Sequence, residues 1–250
     1  MNGQIVLTPA ESKKLIAKGV ARLPFVREAL AGSMVAIAKG TTNSYIVEEI
    51  TGRSIEKKKY ITGLRLPAKD AGTWVPKERL ADVVLKAGRP LEGVAAIEAV
   101  AQMQRGDVFI KGANALDYRN RIAGIYIGHP TGGTIGAVYG TIIARGIRLV
   151  IPVGLEKLIA GDLAQVSTKL AAATYESGAK TGLFPVTGEI VTEIEALQVL
   201  YGVEAVQIGA GGVGGAEGSV HLLISGEPAA VRRAMEDIEK IQGEPPFAEL

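Results

Sequence analysis

Three short segments combine glycine with small polar side chains, a composition that suits the binding of anions. They read KGTTN at residues 39–43, GANALD at 112–117 and GHPTGGT at 128–134. Backbone N–H groups are accessible in such glycine-rich loops, and hydroxyl, amide and ammonium groups add further donors. These segments are therefore the first places to look for a ligand site.

The first segment lies between a predicted strand and a predicted helix. The run Met34–Ala38 is continuously apolar, as in a buried parallel strand, and the sequence SYIVEEI after residue 43 favours a helix. A loop at a helix N-terminus attracts phosphate or carboxylate through its N–H groups and the helix dipole. The predicted anion ligands are Lys39, Gly40, Thr41, Thr42 and Asn43. The alternative is an ordinary helix start, capped by Asn43 or Ser44.

The second segment follows the predicted strand 107–110. Ligands of open parallel sheets bind beyond the carboxyl ends of the strands, which places Gly112 and Asn114 near a ligand and Asp117 where it could accept a proton. The alternative is a turn in which Asn and Asp side chains bind their own backbone.

The third segment precedes a predicted helix at 135–144. Gly132, Gly133 and Thr134 could form a second anion-binding nest at that helix start. His129 could act as an acid or a base near neutral pH, although a histidine beside a proline can equally have a structural role.

A fourth glycine-rich segment, GAGGVGGAEGS at 209–219, matches the spacing G-x-G-x-x-G. The sequence SVHLLIS that follows is typical of a strand and not of a helix, so the context of a dinucleotide site is missing. We interpret the segment as a flexible hairpin connection. The functional alternative is a mobile lid or an oxyanion-binding loop that contains Glu217.

Composition excludes several kinds of chemistry. The 250 residues include no cysteine and two histidines, so we expect no thiol catalysis, no metal site and no cofactor. The net charge of +2 predicts no nucleic-acid partner. The uncharged stretch 122–144 is interrupted by six glycines and a proline, which argues against a membrane span. The polar N-terminus lacks the apolar centre of a leader, so we expect a cytoplasmic protein.

The alternation of strands and helices predicts an α/β fold, with a mostly parallel sheet covered by helices on both faces. A helix is predicted over 93–104. We place this ligand-binding domain at residues 1–182. Residues 183–250 read as helix, strand, strand and helix, which predicts a small, lid-like α+β domain similar to a split βαβ unit. An apolar fraction of 47% is compatible with a homo-oligomer, which we expect.

The serial order of these segments resembles the superfamily of ribose-5-phosphate isomerase, glucosamine-6-phosphate deaminase and the class I CoA transferases. MVAIAKGTTNSYI corresponds to its phosphate loop, GANALD to its G-A-D-x-x-D segment, and TGGTIG with Glu156 and Lys157 to its glycine-rich turn and later strand end. The resemblance covers about residues 34–158. It implies a sugar phosphate as ligand and isomerase-like chemistry, and the C-terminal unit resembles the lid domain of the pentose isomerases.

The sequence departs from this superfamily where its proton-transfer residues would lie. Asn114 and Ala115 stand where the isomerases carry acids, and only Asp117 remains. An asparagine is no general base, so the resemblance supports the phosphate loop more than the isomerase mechanism. The sequence predicts a binder of a small phosphorylated or carboxylated metabolite. The alternatives are a CoA or acyl transferase with Glu217 as nucleophile, and a non-catalytic metabolite sensor or complex subunit.

Overall fold

The computed structural model describes residues 1–66, 75–176 and 180–247. Its strands are β1 (Asn2–Leu7), β2 (Met34–Ile37), β3 (Val83–Lys86), β4 (Arg89–Pro90), β5 (Val108–Ile110), β6 (Ala115–Asp117), β7 (Ile122–Ile127), β8 (Arg148–Pro152), β9 (Gly182–Val186), β10 (Glu189–Val191), β11 (Glu204–Ala210) and β12 (Val220–Ser225). Its α-helices are α1 (Pro9–Arg22), α2 (Pro24–Gly32), α3 (Thr41–Thr51), α4 (Ala96–Ala99), α5 (Gly133–Arg145), α6 (Leu163–Ala172), α7 (Glu193–Tyr201) and α8 (Pro228–Glu239).

A six-stranded mixed sheet in the order β10–β8–β5–β2–β3–β4 forms the centre of the fold and confirms the α/β class. The strands β10, β8, β5 and β2 run parallel. The strands β3 and β4 continue the sheet in antiparallel orientation. The predicted strands at 34–38 and 107–110 are therefore central neighbours, and their carboxyl ends lie at the same edge of the sheet.

Alternate residues of the central strands enter two different hydrophobic cores, as the period of two in a strand requires. Phe109 of β5 packs in one core with Ile135 of α5, whereas Ile110 packs in the other with Ile46 of α3. Helices therefore cover both faces, and burial of β2 on both faces explains its continuous apolar run.

The helices begin as the sequence predicts, but one of them is much shorter. The hydroxyl of Thr8 accepts from the backbone N–H of Glu11, and the carboxylate of Glu11 accepts from the backbone N–H of Thr8, which completes a capping box. The helix predicted over 93–104 was wrong in extent, since only Ala96–Ala99 is α-helical. The segment continues in turns, in which the N–H of Met103 donates to the carbonyl of Val100, and the Arg145 side chain of α5 donates to the carbonyls of Val100 and Met103 as well.

Two three-stranded antiparallel sheets flank the central one, with the orders β1–β12–β11 and β6–β7–β9. The predicted order of helix, strand, strand and helix near the C-terminus is seen as α7, β11, β12 and α8. The domain boundary at 182/183 stays a prediction. Across that boundary, β12 pairs with β1 and β10 pairs with β8.

The glycine-rich segment 209–219 covers the end of β11 and the turns that join it to the antiparallel strand β12. Its left-handed glycines include Gly211 and Gly218. A hairpin connection is therefore what this segment forms.

The uncharged stretch 122–144 divides into β7 and most of α5. Within the described ranges, no helix combines the length and the hydropathy that a membrane crossing requires.

The contact between α1 and α7 depends on a glycine. A Cβ atom at Gly19 would lie 2.6 Å from the Cβ of Ala196, far inside van der Waals contact. We expect Gly19→Ala to lower the free energy of unfolding by about 1–3 kcal/mol, because the two helices must separate. Urea denaturation measures this change. The matched control is Gly32→Ala, where no atom lies within 4 Å and the same substitution should be neutral or slightly stabilising. Equal effects of the two substitutions would contradict the steric explanation.

Candidate functional site

A cavity of about 960 Å³ opens at the carboxyl ends of β2, β5 and β8. Its volume is in the range of sites for small molecules and cofactors. The cavity brings together all ten residues predicted to bind an anion, and also His129. These ten residues are Lys39, Gly40, Thr41, Thr42, Asn43, Gly112, Asn114, Gly132, Gly133 and Thr134.

The helix α3 starts in the wall of this cavity. Gly40 occupies the N-cap position, and within the described part of the chain no side chain caps the helix. The predicted alternative of a cap by Asn43 or Ser44 does not hold, because the hydroxyl of Ser44 donates to the carbonyl of Thr41. The first N–H groups of a helix have no partner inside the helix, so this terminus can donate to a ligand.

Asn43 joins the ends of two strands and leaves one polar atom unpaired. Its Nδ2 donates to the carbonyl of Ala38 at 2.6 Å and to that of Ile110 at 3.3 Å. The side chain is fully buried, and Oδ1 has no hydrogen-bond partner among the described residues. Burial of an unsatisfied acceptor is unfavourable, so this amide oxygen is an unpaired polar atom at the strand ends beside the cavity.

The helix α5 supplies a second N-terminus to the cavity. Gly132 has φ +88° and Gly133 has φ +57°, conformations that favour glycine. A Cβ atom at Gly132 would also lie 2.9 Å from the Cα of Gly136. His129 lies exposed nearby, and its Nδ1 accepts from the backbone of Thr131 at 3.3 Å. Gly132 and Gly133 are therefore required for the tight start of α5 beside the cavity.

The cavity contains cations other than the predicted ligand Lys39, and among them the sequence analysis had named only Lys157, through the resemblance. Lys111, Lys157, Arg65 and Lys180 join Lys39 in its lining, whereas no Asp or Glu of the described residues belongs to it. The guanidinium of Arg65 lies 5.3 Å from the ring centre of Tyr126, which also lines the cavity. The position of Lys111 directly after a strand was a signal that could have found it. Arg65 and Lys180 lie in segments without a comparable pattern.

Lys111 is the half-buried cation that immediately follows β5. Its Nζ has one contact of hydrogen-bond type, a long one of 3.4 Å to the carbonyl of Gly112. Loss of hydration on burial, together with the charge of Lys157, lowers the pKa of Lys111 to about 8, and the carboxylate of Asp82 opposes this change only in part. A substantial fraction of this lysine is therefore a neutral amine near pH 8.

A buried cluster of charged groups lies behind Lys157. The carboxylate of Glu156 is 3.9 Å from Lys157 and 3.8 Å from Lys13. Glu193 accepts a hydrogen bond of 2.9 Å from the backbone N–H of Leu155. Burial raises the pKa of Glu193 to about 7, and the charge of Glu156 makes a smaller contribution in the same direction. Burial lowers the pKa of Lys13 to about 8.

The two predicted catalytic carboxylates lie outside the cavity lining. The carboxylate of Asp117 accepts from the backbone and the side chain of Asn120 at 3.0 and 2.9 Å, as in the predicted turn. These hydrogen bonds lower the pKa of Asp117, and the one from the Asn120 side chain has the largest effect. Asp117 is therefore a weaker base than an ordinary aspartate. Glu217 is exposed in the β11–β12 connection and accepts from the N–H of Gly215.

The arrangement favours an anion over a cation or a metal ion. Over residues 1–66, 75–176 and 180–247, no three His, Asp or Glu side chains are grouped closely enough to hold a metal. Comparison of the chain with protein-family models, curated proteins and solved structures gives no match. The functional argument therefore depends on the residues and the geometry of the cavity.

Proposed function

We propose that the protein binds a small phosphorylated metabolite, of the sugar-phosphate class, in the cavity at the carboxyl ends of β2, β5 and β8. One observation carries the proposal. Two helix N-termini and five cationic side chains converge on a cavity whose described lining contains no carboxylate. Such a cavity attracts negative charge both through the helix dipoles and through the side chains.

Phosphate fits this environment better than a single carboxylate. A phosphate monoester carries nearly two negative charges and three acceptor oxygens, which a cluster of N–H, hydroxyl and ammonium donors can satisfy together. The cavity is larger than one phosphate, and apolar side chains such as Ile125 and Ile135 line it as well. The phosphorylated ligand therefore has room for an organic portion, for which the superfamily resemblance suggests a sugar.

The observations support binding more directly than any particular reaction. The transferase alternative gains nothing from the geometry, because Glu217 is not part of the cavity lining. A metabolite sensor needs only the binding site and stays the second candidate, favoured by the position of Asp117 in a turn outside the lining.

Substitution at the start of α3 tests the proposal. We expect the double variant Thr41→Leu and Thr42→Leu to lose the thermal stabilisation that sugar phosphates give the wild type, because it fills the helix N-terminus and removes two hydroxyl donors. For the wild type, a ligand at about 100 times its Kd adds about 2.7 kcal/mol of stability. Thermal unfolding with a panel of aldose and ketose phosphates measures the effect.

The control is Thr168→Leu on the exposed face of α6, away from the cavity lining. This variant should retain the full ligand-induced shift. Stabilisation of the Thr41/Thr42 variant to the same extent as the wild type would reject the proposed site.

A further inference from the structure

Lys111 combines several features that a phosphate-binding lysine does not need. It follows the central strand β5, and its backbone N–H donates to the carbonyl of Val150 in β8 at 3.0 Å. The adjacent carbonyl of Ile110 accepts from Asn43. The backbone that carries the amine is therefore fixed on both sides within the sheet, as a reacting group requires.

The amine has little that would hold it in the charged form. Within the described residues, no ion pair joins Lys111 to a carboxylate, and the described lining of the cavity contains no carboxylate. A second cation, Lys157, donates to the carbonyl of Ala113 at 3.0 Å, two residues along the chain. A neighbouring cation is one of the conditions that make a lysine nucleophilic at neutral pH.

We propose that Lys111 is a nucleophilic amine that forms a Schiff base with the carbonyl group of a phosphorylated aldehyde or ketone. This inference rests on the proposed function, since the phosphate site would hold the ligand. The remaining cations of the cavity, including Lys39 and Arg65, bind the phosphate, while Lys111 reaches the carbonyl carbon.

The chemistry requires the neutral amine, the carbonyl group of the ligand and one proton from solvent. The lone pair of neutral Nζ attacks the carbonyl carbon, a C–N bond forms, and a proton moves from nitrogen to the carbonyl oxygen to give a carbinolamine. Protonation of that oxygen by solvent lets it leave as water, and the nitrogen keeps its own proton in the resulting positively charged C=N bond. The positive charge on this bond withdraws electrons from the neighbouring carbon, which is the requirement for isomerisation or for cleavage of a C–C bond.

Reductive trapping tests the inference on the full-length protein. Pyridoxal 5′-phosphate serves as the probe because it carries both an aldehyde and a phosphate. After incubation at pH 8 and reduction with sodium borohydride, peptide mass spectrometry gives the labelled fraction of each lysine. We expect Lys111 to be labelled about tenfold faster than exposed lysines, because far more of it is neutral at that pH. Inorganic phosphate should compete, and pyridoxal without phosphate should label it poorly.

Three variants separate nucleophilicity from charge. Lys111→Arg retains the positive charge and should still be stabilised by inorganic phosphate, but it should lose the label. Lys111→Met tests whether labelling moves to another lysine of the cavity. Lys157→Met removes the neighbouring cation, and the pH midpoint of labelling at Lys111 should rise as a result. A purely structural role of Lys157 would leave that midpoint unchanged.

The outcomes distinguish this inference from the proposed function. Label on Lys39, Lys157 or surface lysines in preference to Lys111 would overturn the inference, as would unchanged total labelling of Lys111→Met. If phosphate stabilises the protein and Lys111 remains unlabelled, the binding function stands without the Schiff base. If pyridoxal labels Lys111 as well as its phosphate does and phosphate fails to compete, the phosphate site is wrong.

Discussion

The variant Lys39→Glu is expected to weaken binding of phosphorylated ligands by about 100-fold or more. It replaces an attractive charge by a repulsive one beside the N-terminus of α3, in a cavity whose described lining holds no other carboxylate. At about 5 Å and an effective dielectric constant of about 20, one unit charge contributes about 3 kcal/mol, before the loss to solvent screening. Isothermal titration with a sugar phosphate that stabilises the wild type measures the change in Kd.

The matched control is Lys86→Glu, at an exposed position of β3 that is not part of the cavity lining. The two variants have the same net charge, so a general effect of net charge would weaken binding equally in both. A decrease confined to Lys39→Glu places the anion in the cavity. Wild-type affinity in Lys39→Glu would contradict that placement. Rising ionic strength should weaken wild-type binding as well, because counterions screen the cations.

The variant Glu193→Gln is expected to remove a pH dependence of stability. Burial raises the pKa of Glu193 to about 7 in the folded state, compared with 4.5 for an unperturbed glutamate. The stability that the protonated carboxyl provides is therefore complete below pH 4.5 and is lost as the pH rises through about 7. Between these values this group lowers the free energy of unfolding by roughly 1 kcal/mol per pH unit.

Glutamine cannot ionise, and its carbonyl can still accept the hydrogen bond from Leu155. Relative to wild type, Glu193→Gln should therefore gain stability from pH 4.5 to pH 8, by roughly 2–3 kcal/mol in total. Urea denaturation at both pH values measures the gain. Glu28→Gln, at an exposed position of α2, should leave the wild-type pH dependence unchanged. If the free energy of unfolding of Glu193→Gln varied with pH in parallel with that of the wild type, Glu193 would be ionised throughout this range.

Local patterns predicted the elements around the site because each signal depends on near neighbours in the sequence. The apolar run at Met34–Ala38 and the glycines at 132–133 predicted a strand and a helix start that the structure contains. The capping box at Thr8 and Glu11 was equally local. The helix predicted over 93–104 is α-helical only at Ala96–Ala99, and the carbonyls after it accept from a distant residue, Arg145, which no local pattern reveals.

Apart from Lys39 and Lys157, the cations of the site escaped sequence reasoning because a cation at a strand end and a solvated cation look alike in sequence. Lys111 and Lys157 are 46 positions apart, and their proximity depends on the pairing of β5 with β8. Asp117 shows a second limit of local patterns, since its place near a strand end suggested chemistry and the structure places it outside the cavity lining. The short strand β6 carries it into a turn, where Asn120 binds it.

The sequence alone determined the kind of chemistry that this protein can use. It lacks cysteine and has two histidines, and its glycine, threonine and asparagine loops follow buried strands, so backbone, hydroxyl and amide groups are the contacts that we expect at a ligand site. Only the tertiary structure decided which loops share a cavity, which carboxylates lie outside its lining, and which lysines lose hydration. Parallel pairing brings distant strand ends together, and burial then changes the charge state of the groups found there.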